Sequence, residues 1–229
     1  MTSPSAPRPA AHTECSQPPA ARTFPVHHHP TSSAPAPQLR LETLLVRSGT
    51  GTDPATGAIT TPIHLSTAYG HPGLGESTGY DYTRTASPTR DVLQDALARL
   101  EGGTAAFALS SGMAALELVT RTLAPHGSRI VALRDLYGGS FRFLEVLAEE
   151  GAADVDFVLG IKGLREALAT PADLVIIETP TNPMMEEIPI HEAVELAHAA
   201  GARLVVDNTF YTPVVQRPLE LGADVVVHS

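Results

Sequence analysis

The second half of this chain exchanges short apolar runs for longer segments of helical spacing, and no other feature limits its fold as tightly. Residues 105–109, 129–133, 155–159, 174–177, 203–206 and 224–227 each have the length and apolar content of a buried strand. Apolar residues recur at helical spacing in 113–123, 141–149, 164–168 and 190–199. Strands that are apolar throughout must be covered on both faces. The pattern therefore predicts an α/β fold, a mostly parallel sheet with helices on both faces. In open sheets of this kind ligands gather at the carboxyl ends of the strands, so the residues following each run are the functional candidates.

The first half reads differently. Residues 1–38 are crowded with Pro, Ala and Ser and cannot bury enough apolar area to offset the entropy of ordering, which predicts a disordered tail. His27, His28 and His29 fall in this Pro-flanked stretch without other ligands nearby, and no metal site is expected. From 39 to 89 the chain is rich in Thr, Gly, Pro and Tyr, and reads as an extended arm with turns at Asp53-Pro54 and His71-Pro72-Gly73. After Pro88, the stripe Val92, Leu93, Ala96, Leu97 and Leu100 predicts a helix that ends at Gly102-Gly103 and opens a domain over 90–229.

Charge and composition narrow the function. With 25 acidic against 15 basic residues and a net charge of -10, the chain lacks the clustered Lys and Arg that a nucleic-acid surface needs. A small polar metabolite suits it better. One cysteine, Cys15, can build neither a disulfide framework nor a thiolate metal site. No run is apolar and long enough to cross a bilayer or to serve as a secretory signal, and a cytoplasmic protein is expected. Lys162 is the single lysine.

Four strand ends carry chemistry. Run 105–109 leads into Ser110-Ser111-Gly112-Met113-Ala114-Ala115, a small-residue turn opening a helix, where free N–H groups and the positive dipole end suit a phosphate. Such a turn can equally be plain steric relief. The next run is followed by Asp135-Leu136-Tyr137-Gly138-Gly139, placing an aromatic at the same rim to pack or to stack on a flat ring. Glu178-Thr179-Pro180-Thr181-Asn182-Pro183 holds Asn182 between prolines, as a polar contact or as part of a turn. Run 203–206 ends at Asp207-Asn208-Thr209, and a carboxylate there needs a partner, which a pyridinium nitrogen could provide.

Taken in order, these segments resemble the pyridoxal-phosphate (PLP) dependent Cys/Met metabolism family of fold type I, which includes cystathionine gamma-synthase, the cystathionine lyases, methionine gamma-lyase and O-acetylhomoserine thiolyase. The resemblance covers 39–229. It rests also on Tyr82-Thr83-Arg84-Thr85, on Pro88-Thr89-Arg90 and on the closing Ala223-Asp224-Val225-Val226-Val227-His228-Ser229. It implies that Gly112 and Met113 hold the cofactor phosphate through their backbones. Tyr137 would stack on the ring and take part in catalysis, and Asn182 would reach the phenolic oxygen. Asp207, supported by Thr209, would pair with the ring nitrogen, and Ser229 would join the cofactor contacts. Tyr82 and Arg84 would cross on the arm to a neighbouring subunit's phosphate, implying a homo-oligomer. Ser87 departs from the Asn more usual before Pro-Thr in the family.

The resemblance further implies γ-replacement on an activated homoserine or a related sulfur amino acid, or else γ-elimination by a lyase. A Thr-Lys pair, whose lysine bears the cofactor as a Schiff base, is expected a few residues past His228-Ser229, so these residues form an incomplete large domain without the smaller carboxyl-terminal one. The 229-residue polypeptide is accordingly expected to be inactive alone, or to be a fragment that binds PLP or a full-length subunit. Lys162 lies outside every matched motif. The sheet is expected to lack a strand and to expose apolar edges.

Overall fold

A computed structural model describes residues 39–229 apart from Thr52 and Pro54; the predicted tail, with His27 to His29 and Cys15, lies outside the described residues. The centre is a five-stranded, wholly parallel sheet made of β1 (Ser128–Leu133), β2 (Ala153–Val158), β3 (Leu174–Glu178), β4 (Arg203–Asp207) and β5 (Val225–Val227). Spatial order is β2-β1-β3-β4-β5, so the chain reverses its direction of travel between β1 and β3. Crevices at such reversals are where open α/β sheets bind ligands.

The core follows from the apolar runs. All five residues of β3 are buried, and Ile130 to Leu133 and Leu204 to Val206 are at most 1% exposed. Between the strands run α4 (Gly138–Glu149), α5 (Gly160–Ala167) and α6 (Ile190–Ala199), and each sends leucines, isoleucines or alanines such as Leu144, Leu164 and Ala193 into the common core. Helices α2 (Pro88–Glu101) and α3 (Gly112–Leu123) precede the sheet. Helix α2 begins with Pro88 in its first turn and ends where Gly102 turns left-handed, as its flanking residues predict. Two short elements that the apolar spacing did not predict, α7 (Thr212–Val215) and a 3-10 turn at Pro218–Leu221, bridge β4 to β5.

Two expectations need correction. Residues 105–109 do not form a strand: they belong to no ladder, with Phe107 and Leu109 exposed. Apolar content marks a segment as able to pair, but a strand exists only where a neighbouring backbone supplies hydrogen bonds, and β5 at the sheet's edge is paired with β4 alone. The segment from 39 is also not extended from its start. It opens with α1 (Leu41–Arg47), which buries none of its residues fully and packs against α2. The rest of 48–87 is irregular, tied by the isolated bridges Thr50–Thr60 and Ala68–Tyr82, and leaves Ile59, Ile63, Leu65 and Leu74 exposed. Among the described residues no helix is long and apolar enough to cross a membrane.

Two acids of the sheet are paired with cations: Asp156 in β2 with Arg129 at 2.5 Å, and Asp224, just before β5, with Arg203 at 2.6 Å and His198 at 2.9 Å. Burial alone would push the Asp224 carboxyl up, but the Leu204 amide, His198 and Arg203 outweigh it and hold it below the usual range. The carboxyl ends carry acids of a different kind, described below.

Ile176, 1% exposed at the middle of β3, tests this core. Ile176→Ala is expected to cost about 2–5 kcal/mol in urea unfolding. A loss well under 1 kcal/mol would mean that β3 is not central.

Candidate active site

The carboxyl ends of β1, β3, β4 and β5 and the start of α3 bring most of the sequence candidates together. Ser111 caps α3, its Oγ accepting from the Ala114 amide at 3.1 Å while its carbonyl accepts from Ala115. The amides of Gly112 and Met113 are left free of backbone partners, which is the arrangement an anion needs at a helix start. A Cβ on Gly112 would lie 2.5 Å from the Cβ of Ser229 and 2.6 Å from its Oγ, so only glycine lets these two backbones approach. Ser229 donates its amide to Thr209 Oγ1 at 3.0 Å, and Thr209 in turn donates both its hydroxyl, at 2.5 Å, and its amide, at 3.0 Å, to Asp207 Oδ1.

From Asp207 the chain of contacts continues across the sheet. Asp207 ends β4 directly beside Glu178, the last residue of β3. Glu178 Oε2 accepts the Tyr137 amide at 2.7 Å. Tyr137 precedes α4 with its ring half exposed and lying over Gly139, where an added Cβ would meet Tyr137 Cε1 at 2.5 Å and Met113 Sδ at 3.0 Å. Met113 brings the path back to the start of α3. The circuit thus encloses free amides, an aromatic face and the carboxylate of Asp207, which has no cationic partner among the described residues.

Asn182 sits on the loop after β3, whose base is pinned by Thr181: its Oγ1 donates to Asp135 Oδ2 at 2.6 Å and accepts the Glu186 amide at 3.0 Å. Tyr82 and Arg84 stand apart. Arg84 donates to the Tyr82 hydroxyl at 2.8 Å with its guanidinium 5.0 Å from the ring centre, and no hydrogen bond joins the pair to the circuit. Lys162 is 88% exposed on α5 beside Glu166. No group of His, Cys, Asp and Glu suited to a metal ion occurs among the described residues.

Reading the sequence missed several groups. Asp135 and Thr181 hold the rim. Buried Glu101, at the end of α2, meets His228 at 2.5 Å and so ties that helix to the residue before Ser229. Glu178 was quoted only as part of a motif, yet the signal was present: a charged residue closing an otherwise apolar strand must be satisfied, the argument already applied to Asp207. Burial raises the Glu178 carboxyl to about 7, the nearby charges of Asp207 and Asp135 add to the rise, and the Tyr137 and Asn182 amides oppose it.

Helix-start amides, a half-exposed aromatic ring and an acid without a cationic partner among the described residues thus meet at the carboxyl ends of a parallel sheet, where ligand-binding α/β proteins carry their sites. The profile of the Cys/Met metabolism PLP-dependent enzyme family matches residues 42–229, and the chain belongs to that family. Its relatives include a cystathionine gamma-synthase of Haemophilus influenzae, 45% identical over 195 residues that cover 84% of this chain and 53% of the relative. Among solved structures, cystathionine gamma synthase from Xanthomonas oryzae pv. oryzae in complex with aminoacrylate and cysteine superposes with a TM-score of 0.80 at 42% identity, covering 83% of this chain and 50% of that one. CalE6, a methionine gamma lyase from Micromonospora echinospora, gives 0.76 at 41% identity, covering 83% and 52%. The chain spans about half the length of the relatives it matches.

The raised carboxyl sets a pH dependence. Between the ordinary value of 4.5 and about 7, the unfolded chain loses the Glu178 proton while the fold retains it, so stability falls as pH rises through that window. Glu178→Gln removes this fall. The variant's melting temperature is expected to match the wild type at about pH 5 and to exceed it at about pH 8. A wild-type advantage at the higher pH would contradict a desolvated carboxyl.

Proposed function

We propose that this chain is the cofactor-holding part of a PLP-dependent enzyme of sulfur amino-acid metabolism that carries out γ-replacement on an activated homoserine. The support is the circuit of contacts that links the start of α3, with the amides of Gly112 and Met113, to Ser229, Thr209, Asp207, Glu178 and Tyr137. Gly112 supports the same reading, since an added Cβ there would collide with Ser229.

In this reading Gly112 and Met113 donate their amides to the phosphate, Ser229 offers its hydroxyl beside them, and Tyr137 covers one face of the ring. Asn182 meets the phenolic oxygen. Asp207, with Thr209 bonded to it, would keep a proton on the ring nitrogen, because a nearby carboxylate favours the charged form. PLP, when bound, supplies the electron sink for the substrate's carbanion. Tyr82 and Arg84 would reach a second subunit's phosphate, where a guanidinium can donate two hydrogen bonds, which makes the working form a homo-oligomer. A cytoplasmic setting fits a small polar substrate and a chain with one cysteine.

Similarity to a synthase and to a lyase of nearly equal identity keeps γ-elimination as a second reading. Lys162, exposed and paired with Glu166, is unsuited to carry the cofactor, and it is the single lysine of the 229 residues. This polypeptide alone should therefore form no borohydride-fixed adduct at the cleft and should turn over no O-acylhomoserine.

Titration with PLP, followed by its absorbance, tests the site. Saturable binding is expected, and Gly112→Ala and Asp207→Ala should each weaken it at least about tenfold, the loss of a charge-assisted or closely fitted contact. Binding that neither variant disturbs would refute the assignment.

A further inference from the structure

Glu178 has no task in the chemistry just proposed, although it occupies the middle of the site. It is 6% exposed and closes β3, the central strand at the point where the sheet order reverses. Its side chain reaches sideways to the turn after β1, where it accepts the Tyr137 amide at 2.7 Å across 41 residues of sequence. Asn182 lies four residues further along the exit of the same strand, and its amide favours the ionised carboxyl. On its other side, in register on β4, stands Asp207.

We propose that Glu178 is the positioning residue of the site, one buried carboxyl that fixes the turns bearing Tyr137 and Asn182 relative to Asp207. The inference rests on the cofactor reading above, because it gives a common purpose to three residues that otherwise share only a neighbour. The geometry makes the case. Tyr137 lies on the exit of β1, Asn182 on the exit of β3 and Asp207 at the end of β4, and the backbone bonds that continue the sheet into the first two exits stop at Arg134 and Thr179, three residues short of Tyr137 and Asn182. Thr181 pins the base of the second loop to Asp135, but Tyr137 has no other bond from β3.

The carboxyl is also a group whose hold depends on its proton. Charges bearing on it are Asp207 from β4 and Asp135 from the exit of β1, both negative, and the groups facing it from the loops are the Tyr137 and Asn182 amides. Ionised, it offers both oxygens as strong acceptors to these amides; protonated, it grips them less. A cation paired with Asp207 would favour the ionised form and so tighten both turns around a ring in the cleft.

Amide hydrogen exchange on the 229-residue protein, with and without PLP, tests this. In the free wild type, protection of the Tyr137 and Asn182 amides should rise about tenfold between about pH 6 and about pH 8. Glu178→Gln should remain at the lower level throughout although its global stability at the higher pH is greater, and Glu178→Ala should fall below both. PLP affinity of Glu178→Gln should match the wild type at about pH 6 and be several-fold weaker at about pH 8. A purely structural residue would instead lower global stability and protection together at every pH, and that result would overturn the proposal. So would unchanged amide protection, or unchanged PLP affinity at the higher pH, in Glu178→Gln. If the amides respond as described while wild type binds no PLP, the cofactor reading fails and the positioning role stands.

Discussion

A parallel sheet buried on both faces satisfies its own backbone everywhere except at its ends, and in this protein acids gather at the carboxyl ends. Asp156 within β2 and Asp224 before β5 are matched by Arg129, Arg203 and His198. At the carboxyl ends, Asp135, Glu178 and Asp207 stand on adjacent strand exits, and among the described residues no arginine or lysine is paired with them. Negative groups brought together in partial burial repel and are costly to keep ionised. The fold offsets that cost with hydrogen bonds from Thr181, Tyr137 and Thr209, each donated from a loop that follows a strand of the sheet.

The second constraint is steric. Helix α3 begins so close to the exit of β5 that Gly112 and Ser229 leave no space for an intervening Cβ, and Tyr137 covers Gly139 in the same manner at the start of α4. The two helix starts meet at Met113, whose Sδ would lie 3.0 Å from a Cβ on Gly139. The cap supplied by Ser111 uses the third amide of α3 and leaves the first two without a partner among the described residues. The polar network of Glu101, His228, Asn208 and Gln216 beneath Ser229 anchors that side from behind, with Asn208 fully buried and bonded to the Gln216 carbonyl at 2.9 Å.

Strand and helix positions in the second half were legible because burial on both faces writes itself as unbroken apolar runs: β3 and β4 each extend one residue past the runs that predicted them, to Glu178 and Asp207. The failure at 105–109 has the same root. Phe107 and Leu109 look like core, but pairing depends on a partner strand that no local pattern encodes. Helix α1 was hidden for the converse reason, since it buries no residue fully and carries no strong stripe. Within the site, Gly112, Tyr137, Asn182 and Asp207 were visible as strand-exit residues of special chemistry, whereas Glu101 and Asp135 acquire meaning only through residues more than 40 positions away.

By itself the sequence determined the parallel α/β class, the strand exits that could bear function and the family to which they belong, because hydrophobic period and short motifs are local properties. Tertiary structure alone decided which exits face one another, that Glu178 lies beside Asp207 and under Tyr137, and that Ser229 closes on Gly112. Strand order governs those meetings, and strand order is set by how the helices share the faces of the sheet.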